Sequence, residues 1–153
     1  MQRRSFIKGV AAVAAVTAVA PTTTFAAKAK GGNDMSFNGA LNAITRGKKV
    51  TKSSKVHLKA PEIAENGAVV PIKVTVDSPM TQANHVKAIH VLANKNGNAR
   101  CVNVFLTPAN GKAVFGTRIK LGSTQDVVAI AEMSDGTFLS ASANVKVTIG
   151  GCG

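Results

Sequence analysis

From Val56 onward, apolar residues alternate with polar ones in short runs, a pattern typical of β-strands. The clearest run is Val70–Val76, which ends at the turn-forming sequence Asp77-Ser78-Pro79. We predict strands at Val56–Leu58, Val70–Val76, Val86–Ala93, Cys101–Leu106, Ala113–Leu121, Val127–Met133 and Thr137–Ile149. About seven strands spaced near ten residues apart predict a mainly β fold, an immunoglobulin-like antiparallel β-sandwich.

One short N-terminal helix is expected before these strands. Apolar residues recur at helical spacing at Phe37, Leu41 and Ile44. Asp34 and Ser36 are the candidate N-caps, and Gly47 is placed to end the helix. Its single apolar stripe predicts packing against a sheet.

Residues 1–26 have the organisation of an export signal. A twin-arginine (Tat) motif is carried by Arg3, Arg4, Phe6 and Lys8. The apolar run that follows, Val10–Ala20, is shorter than the roughly 20 residues a membrane-spanning helix needs. We expect cleavage after Ala26 or Ala27 and a periplasmic product that keeps no membrane attachment. A membrane-anchoring N-terminus is the alternative.

The remaining chain is long enough for one domain. We expect a flexible leader and the short helix over 27–54, the β-sandwich over 55–149 and a flexible C-terminal arm over 150–153.

The charge is strongly positive. Of the 19 lysines and arginines, three lie in the predicted signal, which leaves 16 against seven acidic residues and a net charge of +9. Nucleic acid is not an expected partner, because the chain has no Trp or Tyr for stacking and its lysines are spread among the strands. Small inorganic anions or an acidic protein partner fit this charge.

Familiar catalytic and metal-binding patterns are missing from the sequence. A copper site would draw on His57, His85, His90, Cys101 and Met133, but no histidine follows Cys101, as such sites usually require. We interpret the histidines as surface or interface residues. The acidic residues form no recognisable acid and base pair, and no nucleophile motif is present. No metal, cofactor or catalytic residue is therefore predicted.

The C-terminus carries the most informative chemistry. Ile149 ends the last predicted strand, and Gly150, Gly151, Cys152 and Gly153 follow with nothing in the sequence to hold them. Such a tail could move the Cys152 thiol over an arc of about 10 Å. An ordinary cysteine pKa of about 8.5 leaves part of this thiol ionised near neutral pH, and the thiolate is the nucleophilic form.

Four segments resemble the SoxY family of sulfur-oxidation proteins. They are the twin-arginine signal, Ala60–Pro71 (APEIAENGAVVP), Asp77–Met80 (DSPM) and Val147–Gly153 (VTIGGCG). The resemblance implies a non-enzymatic carrier that binds sulfur intermediates covalently on Cys152, a swinging-arm cysteine flanked by Gly150, Gly151 and Gly153. It also implies a heterodimer with SoxZ, and transient encounters with a SoxAX-type cytochrome, a SoxB-type hydrolase and in some systems a SoxCD-type sulfur dehydrogenase.

Two features depart from that pattern. The chain ends with one glycine after Cys152, whereas many SoxY sequences end with two. Cys101 matches no motif of the family, so it is either an inert strand residue or a disulfide partner that switches Cys152 off. The alternative from a different functional class is a secreted immunoglobulin-like binding or assembly module, whose terminal cysteine forms an intermolecular disulfide.

Overall fold

The computed structural model describes residues 33–151, so the predicted signal, most of the leader, Cys152 and Gly153 lie outside the described residues. Helix α1 spans Phe37–Thr45. The strands are β1 (Val50–Lys52), β2 (Val56–Lys59), β3 (Ile63–Asn66), β4 (Val70–Val76), β5 (Val86–Ala93), β6 (Arg100–Phe105), β7 (Ala113–Ile119), β8 (Gln125–Met133) and β9 (Phe138–Ile149). A single 3₁₀ turn at Pro108–Asn110 connects β6 to β7.

These strands form two sheets, which confirms the predicted immunoglobulin-like sandwich. The larger sheet has the order β1-β9-β8-β5-β6, with β3 also paired to β9. The smaller sheet has the order β2-β4-β7. Strands β6 and β7 are therefore edge strands of opposite sheets, a relationship that matters for the site described below.

The main core lies between the two sheets. Strand β5 contributes Ile89, Val91 and Ala93 to it, all fully buried. The intervening Leu92 belongs to a second cluster on the outer face of the larger sheet, where it packs with Ile130 and residues of α1. Because β5 is covered on both faces, its sequence is almost continuously apolar.

Helix α1 begins and ends through its caps. The Ser36 hydroxyl accepts a 3.2 Å hydrogen bond from the Gly39 N–H, so Ser36, one of the two predicted N-caps, fills that role. Arg46 and Gly47 then adopt positive φ angles of 54° and 79°, which end the helix where the sequence predicted. Within the described residues, no helix is long and apolar enough to cross a membrane.

One correction concerns where the strands begin. The sheets begin at Val50, not at Lys55, because β1 lies inside the segment predicted as leader and helix. In addition, two short strands of the otherwise antiparallel sandwich, β1 and β3, pair with β9 in parallel. These two strands have only three and four residues, too few for an alternating pattern to stand out in the sequence.

Candidate functional site

The last described residues pass between two loops at one end of the sandwich. After β9 ends at Ile149, its carbonyl accepts a 2.7 Å hydrogen bond from the N–H of Gly67. The Gly67 carbonyl in turn accepts a 2.7 Å bond from the N–H of Leu121, and the Leu121 carbonyl accepts a 3.0 Å bond from the N–H of Gly151. These three bonds tie the C-terminal segment to the β3–β4 and β7–β8 loops.

Glycine is required here because backbones approach each other closely. A Cβ on Gly151 would lie 2.6 Å from the backbone N and Cα of Ala68. A Cβ on Gly150 would collide with the Gly122 carbonyl oxygen, and one on Gly67 with the Leu121 carbonyl oxygen. Any side chain at these positions would have to displace backbone, so the glycines serve close packing.

This arrangement corrects the expectation for the arm. Gly150 and Gly151 were predicted to follow the last strand with nothing to hold them, yet both lie against neighbouring backbone and Gly151 is hydrogen-bonded. Cys152 and Gly153, the other two residues of the predicted arm, lie outside the described residues. In the sequence, Cys152 directly follows the anchored Gly151.

Exposed apolar side chains flank this crossing. Ile149 is 69% exposed and Val69 is 52% exposed, and these residues directly adjoin Gly150 and Ala68 in sequence. Apolar side chains left in solvent beside a site are available to contact another protein.

Cys101 occupies β6, where it packs half-buried against the core between the sheets. Its Sγ lies 3.8 Å from the Ala99 carbonyl oxygen. Burial raises the pKa of this thiol to about 11, so Cys101 is protonated at neutral pH. Its thiol is free in the structure, and a disulfide to Cys152 stays a hypothesis.

Cys101 also lines a pocket of about 270 Å³ between the edge strands β6 and β7. The pocket is lined by Asn96, Asn98, Arg100, Cys101, Arg118, Ile119 and Lys120. Three of these residues are cationic, and none of the three forms an ion pair with another described residue. This basic pocket adjoins the glycine crossing, because the segment 120–122 contributes to both.

More positive charge lies on the outer face of the smaller sheet. Lys59 on β2 lies directly opposite Lys73 on β4, and Arg118 on β7, already named in the pocket lining, lies opposite Pro71 on the same face. Like charges placed opposite each other destabilise a sheet, so this pair disfavours folding slightly. The sequence predicted the basic charge but not its location, and the structure places part of that charge on this face and around the pocket.

The histidines occupy three separate environments. His57 Nε2 lies 2.9 Å from the Asp77 carboxylate, and His85 Nδ1 lies 3.0 Å from the Thr81 carbonyl oxygen. His90 is only 6% exposed, which corrects its interpretation as a surface residue. It pairs through Nδ1 with the Asn103 side-chain oxygen at 2.8 Å, while its buried Nε2 has no hydrogen-bond partner.

The acidic residues show no catalytic arrangement. Glu132, near the end of β8, lies 3.6 Å from Lys87 of the same chain. Between residues 33 and 151, no three His, Cys, Asp or Glu side chains come together where they could hold a metal ion.

Comparisons with known proteins point to one family. The family model described as "Sulfur oxidation protein SoxY" matches residues 41–152, a range that ends at Cys152. Among solved structures, the sulfur carrier protein SoxY from Chlorobium limicola f thiosulfatophilum is similar, with 28% identity and a TM-score of 0.62, over 73% of this chain and 96% of that one.

A second solved structure is similar to this chain, and this similarity shows the fold alone. The superoxide reductase (neelaredoxin) from Ignicoccus hospitalis has 18% identity and a TM-score of 0.56, over 61% of this chain and 80% of that one. No curated protein sequence matches the chain.

Proposed function

This chain belongs to the SoxY family of sulfur-oxidation proteins, and we propose that it carries sulfur intermediates covalently on the thiol of Cys152. The coarser role, that of a carrier in sulfur oxidation, follows from the family and from the similarity to the Chlorobium sulfur carrier. The finer proposal is that the Cys152 sulfur is the attachment atom. The groups it carries in turn are thiosulfate, sulfane sulfur and sulfonate.

The observation that carries this proposal is the position of Gly151. The last described residue is fixed at one end of the sandwich by its hydrogen bond to Leu121, and the next residue is the cysteine. The exposed apolar side chains of Ile149 and Val69 lie at the same end of the domain, where a partner enzyme could contact them.

The chemistry on the thiol would be supplied by partners. In the loading step, the Cys152 thiolate and thiosulfate form a sulfur–sulfur bond, giving Cys152–S–S–SO₃⁻ and releasing two electrons to a SoxAX-type cytochrome. Hydrolysis by a SoxB-type enzyme then adds water, releases sulfate and leaves a persulfide on the cysteine. A SoxCD-type dehydrogenase would oxidise that remaining sulfur in systems that have one. This chain supplies the thiol and its presentation and catalyses none of these steps.

Of the two cysteines, Cys152 is the better candidate nucleophile. Burial raises the pKa of Cys101 to about 11, which leaves roughly one thiolate in ten thousand molecules at pH 7. An exposed cysteine with an ordinary pKa of about 8.5 would be ionised in a few per cent of molecules.

The proposal also includes the cellular setting. The Tat motif at Arg3, Arg4, Phe6 and Lys8 supports export to the periplasm, where a SoxZ partner would form a heterodimer with this chain. These residues lie outside the described part of the chain, so the support comes from the sequence.

A matched pair of substitutions in the native host tests the function. We expect Cys152→Ser to abolish thiosulfate oxidation by the cells, and Cys101→Ser to leave most of it intact, with both proteins exported at equal levels. Normal thiosulfate oxidation with Cys152→Ser would contradict the carrier role. A reducible covalent dimer through Cys152, present regardless of thiosulfate, would instead support the assembly module.

A further inference from the structure

We propose that the outer face of the smaller sheet is a docking surface for an acidic face of a transient protein partner, an enzyme that acts on the carrier. This inference rests on the proposed function and adds the chemistry by which such an enzyme recognises the domain. The surface is formed by the outward-facing residues of β2, β4 and β7, and its cations are Lys59, Lys73 and Arg118. It is called the basic face.

Strand register determines which side chains share the basic face. Strand β4 alternates between residues buried among the two sheets and residues that point outward, and Lys73 is one of the latter. Lys59 of β2 lies opposite Lys73 on one side, and Gly116 of β7 lies opposite it on the other. Arg118 follows Gly116 by two residues and therefore points to the same side. Three cations from separate parts of the chain thus share one surface.

The basic face has no acidic residue at any outward position of its three strands. Asp77 directly follows β4 at one end of the face, and its carboxylate lies 2.9 Å from His57 Nε2. The larger sheet differs, because Asp126 and Glu132 both occupy outward positions of β8. The strands of the smaller sheet therefore present cations to solvent without carboxylates among them.

Folding places two of these cations where they repel each other. Lys59 and Lys73 are directly opposite in an antiparallel pair, a position at which Cβ atoms are about 5 Å apart. Like charges at such positions destabilise a sheet. A negatively charged partner would relieve this repulsion, so binding gains from an arrangement that folding alone disfavours.

The spacing of the cations favours a protein as the partner. Lys59 and Arg118 lie on the two outer strands of the three, so their Cα atoms are at least roughly 10 Å apart. All three cations are exposed on a flat surface, which matches several carboxylates spaced along another protein better than one small anion. The outward positions contain no Phe, Tyr or Trp, the residues that stack on bases or insert into lipid.

The size of the basic face indicates a transient partner. Strand β4 has seven residues and spans about 20 Å, and the three strands together are about 10 Å wide between the outer strand axes. The resulting area, roughly 200 Å², is well below the roughly 800 Å² that each partner buries in a stable complex. Brief encounters steered by charge suit an enzyme that loads or unloads a carrier and then leaves.

The Arg118 end of the basic face adjoins the end of the domain where the C-terminal segment is held. Leu121 follows Arg118 by three residues, a distance of about 10 Å along extended chain. The Leu121 N–H donates to the Gly67 carbonyl, and the Leu121 carbonyl accepts from the N–H of Gly151. An enzyme seated on the basic face would therefore lie beside the segment that leads to the proposed carrier residue.

Thiosulfate oxidation in a periplasmic extract tests the docking surface. The extract comes from a host strain that lacks this chain, and the purified mature protein, in the complex it forms in the host, is added back in increasing amounts at about 10 mM salt. We expect Lys73→Glu to raise the half-saturating concentration at least about fivefold, because steering by opposite charge accelerates association about tenfold or more. The matched control Lys49→Glu makes the same charge change just before β1 of the larger sheet, and we expect an effect below about twofold.

Salt and stability supply readouts that a misfolded variant would not produce. We expect the difference between Lys73→Glu and the unsubstituted protein to fall below about twofold at about 0.5 M salt, where charges are screened within a few ångströms. Lys73→Glu also places a carboxylate opposite Lys59, an attractive pair, so we expect a free energy of unfolding no lower than that of the unsubstituted protein. Urea denaturation measures this.

A second measurement distinguishes a protein partner from a small anion. Sulfate is titrated into ¹⁵N-labelled protein while the amide shifts of Lys59, Lys73 and Arg118 are followed by NMR. We expect shifts that rise with sulfate without saturating, as for general screening of exposed charge. Saturable shifts that are lost with Lys73→Glu and kept with Lys49→Glu would overturn the proposal, because the face would then be a site for small anions.

The outcomes separate the docking surface from the carrier role. Equal half-saturating concentrations for Lys73→Glu and Lys49→Glu would overturn the docking surface and leave the carrier role standing, because recognition would then follow net charge alone. A difference that persists at high salt would also overturn it, since its cause would not be electrostatic. Full thiosulfate oxidation with Cys152→Ser protein in the same extract would instead count against the carrier role itself.

Discussion

The backbone N–H of Gly151 donates a 3.0 Å hydrogen bond to the carbonyl oxygen of Leu121. This bond joins the residue before the proposed carrier cysteine to the loop that follows β7, next to the basic pocket. The proposed arm is therefore anchored up to Gly151 and shorter than the four residues that the sequence predicted. Movement of Gly151 away from Leu121 would require this bond to break, so we expect partner enzymes to approach this end of the domain.

The close crossing of backbones at Gly67 predicts a large effect of a single methyl group. We expect Gly67→Ala to lower the free energy of unfolding by about 1 to 3 kcal/mol, the usual cost of forcing an extra group into a packed site. Its Cβ would collide with the Leu121 carbonyl oxygen, and neither backbone can move without breaking the hydrogen bonds to Ile149 and Leu121. Urea denaturation followed by circular dichroism measures the change.

Gly116→Ala is the matched control for that substitution. A Cβ at Gly116 would lie 3.6 Å from the Ile72 carbonyl oxygen, an ordinary contact, so we expect a change below about 1 kcal/mol. Equal stability of the Gly67→Ala and Gly116→Ala proteins would contradict the close crossing.

Anchoring of the arm predicts low backbone mobility at Gly150. We expect an NMR order parameter near 0.8 at this residue, and a value below about 0.6 in Gly151→Ala protein, because the new Cβ would displace the segment from Ala68. ¹⁵N relaxation on both proteins provides the measurement. A low order parameter already present in the unsubstituted protein would mean that the arm is free from Gly150 onward.

The buried thiol of Cys101 predicts a loss of stability at alkaline pH. Burial raises its pKa to about 11 in the folded protein, above the ordinary value for an exposed thiol, so the unfolded chain loses this proton first. The contribution of Cys101 to the free energy of unfolding is constant below about pH 9. Between about pH 9 and 11, the free energy of unfolding then falls by an amount on the order of 2 kcal/mol.

Cys101→Ala removes that titration, so its stability should fall less steeply over the same pH interval. Lysine titration is common to both proteins and cancels in the comparison. Urea midpoints measured from pH 8 to 11 test this, and parallel pH profiles for the two proteins would show that Cys101 is not buried as the structure has it.

The sequence was sufficient for much of the sandwich because most strands are long enough to show their pattern. Strands β4 and β5 have the predicted bounds, since Val70–Val76 alternates strictly and Val86–Ala93 is buried on both faces. Strands β1 and β3 were not predicted because they are too short to show an alternating pattern. They are stabilised by pairing with β9, which is distant in the sequence.

The close packing of Gly150 and Gly151 could not be predicted from the local sequence pattern. Consecutive glycines such as Gly150 and Gly151 indicate a mobile backbone only if no other backbone packs against them. Here the backbone of Ala68 and Gly122, which is distant in the sequence, packs against both. The pocket between β6 and β7 has the same origin, because these edge strands belong to different sheets and come together only in the folded sandwich. Tertiary structure supplies these neighbours, whereas local pattern does not.

The central claim is tested most directly by mass spectrometry of the protein isolated from its native host without added reductant, after growth with and without thiosulfate. The carrier account predicts sulfur or thiosulfonate adducts that are removed by reductant, that map to the C-terminal peptide containing Cys152, and that appear only with thiosulfate. An unmodified Cys152 during active thiosulfate oxidation, or one permanently joined to a second chain, would contradict it.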